Sequence, residues 1–305
     1  MEYHVILDTD IGDDVDDAIA LALALKMPQI VTKGVITTYR NAKMRTKIAM
    51  ALLDGWKRMD IPVYAGEDDP EREKYYNFPF EKQDADGKPI IGHYEEYMRG
   101  YACAEGDWQE FLAHQIRSDP NGISLIGIGP LTDIAKFADS HPEEFSLLKE
   151  IVIMGGDFAQ RKPEWNIKCD PEAAQRVFSS GQRIRLIPVN ITIQCVFSAE
   201  QVQRLHNKCI GNQRLSRMIG IWIKNTHYKK LPILHDPLAL TCVCMDFCSF
   251  TQKTVRVGLE GGERGVTLED GAGSEILVAD SVRAAEAAEF ICNTLCDLRT
   301  GGERC

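Results

Sequence analysis

Val5-Ile6-Leu7-Asp8-Thr9-Asp10-Ile11-Gly12-Asp13-Asp14-Val15-Asp16-Asp17 runs from an apolar strand into an acidic corner, and the apolar segment Ala18 to Leu25 follows. Six of the ten residues from Asp8 to Asp17 are aspartates. The acids therefore sit at a strand-to-helix turn, at the carboxyl end of the first strand, where open α/β sheets bind ligands. Carboxylates crowded this closely repel unless a cation lies among them. An all-aspartate oxygen set suits a hard ion, Ca²⁺ or Mg²⁺, better than zinc. The alternative is a solvated acidic loop, but apolar segments clamp the run on both sides. An EF-hand loop fits poorly: Gly12 is fifth from Asp8 rather than sixth, and the twelfth residue is Ile19 rather than Glu.

Working outward, residues 3–8 read as a strand. Residues 16–27 read as a helix, because Ala and Leu dominate and β-branched residues are scarce. Asp16 is expected to cap it and Pro28 to end it. Ile30 to Thr38 is a β-branched strand and Asn41 to Met59 a helix with an apolar face through Met44, Ile48, Ala51 and Leu52. Ile61 to Ala65 is a short strand. This βαβαβ order predicts a mostly parallel central sheet flanked by helices. Residues 67–106 break the rhythm, as functional loops do.

The order then resumes with a helix at Trp108 to Arg117, a buried strand at Ile123 to Ile128 and a helix at 131–139. A strand at Glu150 to Met154 and a helix opened by Asp170-Pro171 come next, then Ile184 to Val189 as the last clear parallel strand. Residues 198–230 read as helical and irregular, and His235-Asp236-Pro237 opens another helix. Residues 253–279 have the Gly-rich alternation of a small antiparallel addition, and residues 281–298 form a final helix. We find no repeat or linker that divides the chain, so residues 1–305 read as a single α/β domain.

Composition narrows the function classes. A formal charge of −10 over 305 residues disfavours nucleic acid or an anionic membrane as partner. Met1-Glu2-Tyr3-His4 carries no signal-peptide pattern, and no apolar run matches a bilayer span. The ten cysteines show no CxxC pair or zinc-finger spacing, as in a cytoplasmic protein with reduced core thiols.

Five groups of residues occur in order: Asp8-Thr9-Asp10 with Gly12; Asp16-Asp17-Ala18; Met154-Gly155-Gly156; Glu164-Trp165-Asn166 with Asp170-Pro171-Glu172-Ala173-Ala174; and His235-Asp236-Pro237. As a set they resemble the inosine–uridine-preferring nucleoside hydrolase family, over roughly residues 4–195 and 232–298. The chain departs from that family's DxDxGxDDA signature by two residues between Gly12 and the final Asp-Asp-Ala. Asp16 and Asp17 then match the family's acidic pair, and Asp13 and Asp14 are extra.

The resemblance implies a Ca²⁺ ion in a deep pocket, with Asp10, Asp17, Asp236 and the carbonyl of Ile128 as ligands. It implies a ribonucleoside as substrate, and water attacking the anomeric carbon with Asp10 as general base. Asp16 and Asn166 would hold ribose hydroxyls, Glu164 and Asn41 would reach the 5′ side, and Met154 would pack near the sugar. His235 would help the base depart. It also implies a homodimer or homotetramer. For the base, Ile223, His227 and Tyr228 are the candidates; the family also draws a histidine from the long loop, but the surroundings of His93 match that element poorly and it reads rather as a surface histidine.

Each residue has a plainer role open to it: Asp236 as a helix cap before Pro237, Asn166 and Glu164 as loop residues, Met154 as core and His235 as a structural histidine. An apolar strand before Asp8-Thr9-Asp10 also resembles the first motif of haloacid-dehalogenase-type phosphatases, with Asp8 as nucleophile and Mg²⁺ as the metal. A non-catalytic Ca²⁺- or nucleoside-binding protein on the same scaffold is a third reading.

Overall fold

The computed structural model describes residues 2–72, 82–208, 213–225 and 231–296. In chain order the elements are β1 (Tyr3–Thr9), α1 (Asp16–Lys26), β2 (Ile30–Thr37), α2 (Ala42–Gly55), β3 (Val63–Ala65), α3 (Trp108–Ser118), β4 (Ile123–Gly127), α4 (Thr132–Ser140), α5 (Pro142–Ser146) and β5 (Glu150–Met154). There follow α6 (Trp165–Cys169), α7 (Pro171–Phe178), β6 (Ile184–Ile187), α8 (Val189–Thr192), α9 (Ala199–Lys208), α10 (Gln213–Asn225), α11 (His235–Thr241), β7 (Cys248–Val257), β8 (Thr267–Glu269), β9 (Ser274–Val282) and α12 (Ala284–Cys296).

One nine-stranded sheet runs in the order β3-β2-β1-β4-β5-β6-β9-β7-β8. Strand direction is parallel from β3 through β9 and antiparallel at β7 and β8. Helices cover both faces, so the inner strands are apolar on both sides, as parallel strands must be. Side chains alternate between two apolar layers. Val5 and Leu7 enter one with Val152 and Met154, while Ile6 enters the other with Ile151 and Ile153.

The alternation decides where the acids go. Asp8 shares the Ile6 face, toward α4. Thr9 shares the Val5 and Leu7 face, toward α1, where its hydroxyl donates to Asp17 at 2.5 Å. The order of the strands reverses between β1 and β4, and a crevice opens there beyond their carboxyl ends. Helix α1 is buried on nearly every side and packs against α11, which brings the N-termini of the two helices together.

Several expectations need correction. Asp16 lies inside α1: the residue at the cap is Val15, with no side-chain cap bond. Helix α2 stops at Gly55, short of Met59. Strand β7 starts at Cys248, and β9, expected in an antiparallel addition, also pairs parallel with β6 through Arg185–Leu277 and Leu186–Val278. The strand at Ile184 is therefore not the last parallel one. Among the described residues the cysteines are free thiols, five of them buried, and no helix is long and apolar enough to cross a membrane.

Candidate active site

A cavity of about 650 Å³ lies at the crevice between β1 and β4. The β1–α1 corner contributes Asp10, Asp13, Asp14, Asp16 and Asp17. Ile128 comes from the end of β4, Met154 from the end of β5, Glu164 and Asn166 from the start of α6, and His235 and Asp236 from the start of α11.

Asp16, Asp17 and Asp236 form its acidic floor. All three are buried, and one carboxylate oxygen from each lies within 4.8 Å of the others. Burial, then the neighbouring Asp10 and Asp16 carboxylates, push the Asp17 carboxyl well up. Burial, then Asp16, Asp17, Asp10 and Asp14, do the same to Asp236. Asp236 is not spent on capping, because Leu234 holds the cap position of α11. Three hard oxygen donors that repel one another when ionised fit a bound divalent cation.

Asp10 stands beside this triad and outside it. Burial pushes its carboxyl up to about 7, against the pull of Arg45. The backbone comes close here. A Cβ on Gly129 would lie 2.9 Å from the Asp10 nitrogen and 3.2 Å from its Oδ1, so the turn after β4 can pass only as glycine.

The wall toward α6 is built from shared hydrogen bonds. Asn166 Nδ2 donates to the carbonyls of Ile128 and Met154, both at 3.2 Å, which leaves its Oδ1 as the acceptor end. A carbonyl has two lone pairs, so Ile128 keeps one for a ligand. Glu164 caps α6 by accepting from the amides of Asn166 at 3.1 Å and Ile167 at 3.3 Å, and takes a third bond from Gly156 at 3.0 Å. Burial raises its carboxyl in spite of these amides. Across the cavity His235 Nδ1 lies 2.6 Å from Thr192 Oγ1, which fixes the ring.

Asn41 is an expected substrate contact that the structure places elsewhere. It caps α2 by accepting from Met44 at 3.1 Å and donates to Asp84 Oδ2 at 2.8 Å and the Pro89 carbonyl at 3.0 Å. An asparagine just before a helix is a capping signal, and here that role wins. Arg40 lines the cavity in its place. Ile223 packs into the apolar layer beside α1 rather than the cavity. His227 and Tyr228 lie outside the described residues. His93, expected nearer the surface, is buried beside the Gly12 carbonyl, to which its amide donates at 2.8 Å.

Asp8 is 1% exposed, faces Asp133 and does not line the cavity, so it cannot serve as a nucleophile there. The sequence does not single out Asp157, Gln160, Lys162, Pro163, Val189, Asn190 or Ile193, which also line the cavity. The exposed Trp165 and Ile193 give its mouth two apolar surfaces.

Known proteins resemble this chain over most of its length. Residues 5–291 match the family model described as inosine-uridine preferring nucleoside hydrolase. A probable uridine nucleosidase 2 from Arabidopsis thaliana is 31% identical over 279 residues, covering 87% of this chain and 84% of that protein. A probable uridine nucleosidase 2 from Oryza sativa subsp. japonica is 29% identical, covering 88% and 82%. Among solved structures, a plant nucleoside hydrolase superposes with a TM-score of 0.81 at 24% identity, covering 97% of this chain and 99% of that one. A purine-preferring ribonucleoside hydrolase from Gardnerella vaginalis gives 0.79 at 22%, covering 96% and 98%.

Proposed function

The chain belongs to the inosine-uridine preferring nucleoside hydrolase family, enzymes acting on N-glycosyl compounds, and from that premise we propose a Ca²⁺-dependent ribonucleoside hydrolase that releases free base and ribose. The observation that carries the reading is the meeting of three buried carboxylates with Asp10, Asn166 and His235 around one cavity. The residues that would hold the ion are Asp17, Asp236, Asp10 and the Ile128 carbonyl, with Asp16 close enough to share it. When bound, a divalent cation neutralises the carboxylate floor and makes it easier to draw a proton from water or from a ribose hydroxyl.

Asp10 is the general base in this scheme. Its carboxylate is buried at the cavity beside the acidic triad, within reach of a water held there. Water adds to the anomeric carbon as the bond to the base nitrogen breaks through an oxocarbenium-like state. Asp16 and the Oδ1 of Asn166 accept from the 2′- and 3′-hydroxyls and orient the sugar. Glu164 lies toward the 5′ end and Met154 packs against the ring. His235, its Nδ1 held by Thr192, meets the base and delivers a proton to it.

The walls nearest the mouth, Trp165, Val189 and Ile193, offer apolar contact that distinguishes bases weakly. Hydroxyl recognition is stricter, because buried acceptors lose a partner when a hydroxyl is missing. Sites of that kind reject the deoxy analogue by about 10⁴-fold.

The test is ribose release from inosine, uridine and their 2′-deoxy forms. Both ribonucleosides should be cleaved, with kcat/KM at least about 10³-fold above the deoxy forms. A ratio within about tenfold would remove Asp16 and Asn166 from their roles. Phosphate released from an aryl phosphate, with no ribose from nucleosides, would overturn the reading.

A further inference from the structure

Arg45 is buried to 0% exposure on the first turn of α2, and nothing in the scheme above uses it. Its guanidinium spreads over four partners. Nε donates to the Tyr39 carbonyl at 2.9 Å, and Nη1 to the carbonyls of Asp10 and, at 3.1 Å, Ile11. Nη2 donates to Asp13 Oδ2 at 2.8 Å. One side chain thus grips two chain corners, the acidic corner after β1 and the corner after β2.

Both corners need holding. Tyr39 and Arg40 have φ of +79° and +64°, a left-handed conformation that non-glycine residues adopt at a cost. Gly12, at φ +127°, turns the acidic corner, and a Cβ there would meet Ile91 and Ile48 at 2.5 and 2.6 Å. Asp13 is one of the two residues that the family signature lacks. It is 42% exposed at the cavity edge, paired with Arg45 and, at 3.7 Å, with Arg40. Burial alone would push the Asp13 carboxyl up, but Arg45 and then Arg40 outweigh it and hold it below the ordinary value. Asp13 and the buried arginine therefore form one unit.

We propose that Arg45 is a positioning residue for the hydrolysis: its planar fork fixes the Asp10–Asp13 backbone against the β2–α2 corner, so that the Asp10 carboxyl stands where the attacking water is deprotonated. Lysine cannot replace it, since a single ammonium has neither the reach nor the fixed directions to bond four acceptors. The proposal rests on the hydrolase reading above, but its claim about the loop stands on geometry alone.

The experiment compares the parent with Arg45→Lys and Asp13→Asn in the full chain. One readout is steady-state ribose release from inosine with Ca²⁺ present. The other is amide hydrogen exchange over residues 9–15 without substrate. Arg45→Lys should lower kcat at least tenfold while KM stays within threefold, and should speed exchange at 9–15 while the rest of the sheet is unchanged. Asp13→Asn takes the charge out of one of the four contacts and should show the same pattern at three- to tenfold.

An unchanged kcat in folded Arg45→Lys overturns the proposal, as does a change in KM alone or unchanged exchange at 9–15. If Arg45→Lys does not fold, Asp13→Asn decides, and an unchanged kcat there overturns it. If the parent releases no ribose from any nucleoside, the hydrolase reading fails, and the assignment of Arg45 to catalysis falls with it. Exchange at 9–15 then still tells whether the clamp exists.

Discussion

Replacing Asp17 with asparagine should stabilise the protein without metal while destroying its response to metal. Two carboxylate oxygens, from Asp16 and Asp236, lie within 4.8 Å of an Asp17 oxygen. At an effective dielectric of about 20, one ionised pair at that distance repels by about 3.5 kcal/mol. The metal-free cluster escapes part of this by retaining protons, so the realised gain is smaller, about 2–3 kcal/mol. For a chain of this size that is roughly 3–5 °C in Tm. Asparagine keeps an acceptor for the Thr9 hydroxyl, so little else changes.

The sign of the pH dependence follows from the raised carboxyls. A carboxyl whose folded-state pKa lies above its unfolded value carries no penalty at low pH, where both states are protonated. It destabilises the fold increasingly as pH rises through the folded value. For Asp10 that window runs from 3.8 to about 7, and Asp17 and Asp236 are shifted in the same direction. The advantage of Asp17→Asn should therefore be smaller at pH 5 than at pH 8.

Saturating Ca²⁺ should reverse the ranking. The parent gains about 2.7 kcal/mol at a hundredfold excess over Kd, and the variant little. Thermal melts of chelator-treated protein at pH 5 and 8, with and without Ca²⁺, measure all four states. A metal-free variant less stable than the parent at pH 8, or a difference independent of pH, would refute the electrostatic argument.

Further substitutions separate roles within the acidic run. Asp10→Asn should lower kcat by about 10²-fold or more in ribose-release kinetics, the scale of a lost general base, whereas Asp14→Asn should cost less than tenfold. A larger loss at Asp14 than at Asp16→Asn would show that the acidic pair is displaced by two positions. Asp8→Asn should change kcat less than about threefold and stability by less than about 1 kcal/mol, because Asp8 does not line the cavity and burial and the neighbouring Asp133 carboxyl both disfavour its ionised form. Abolished turnover at Asp8 would instead revive a nucleophilic role.

Much of the site was legible because local pattern and chemistry coincide in it. An apolar strand followed by aspartates and an Ala-Leu helix dictates a β1–α1 corner. Period-2 alternation alone sends Thr9 toward α1 and Asp8 away from it. The parallel pairing of β9 with β6 was not legible, since alternation in a Gly-rich segment sets its faces and not its neighbour. Asn41 misled because capping and ligand binding ask for the same side chain, and only the fold shows which partner is near. Arg45 did leave a signal. It shares a helical stripe with Ile48 and Leu52, and an arginine on a buried stripe must find acceptors inside. Which acceptors depended on how two distant corners meet.

The most direct test of the account is ribose release from inosine and uridine by protein verified metal-free, followed by titration with Ca²⁺. The account predicts turnover at least about 10²-fold below the loaded enzyme, rising with Ca²⁺ to a plateau at one ion per chain. Full turnover in the verified metal-free protein would contradict it.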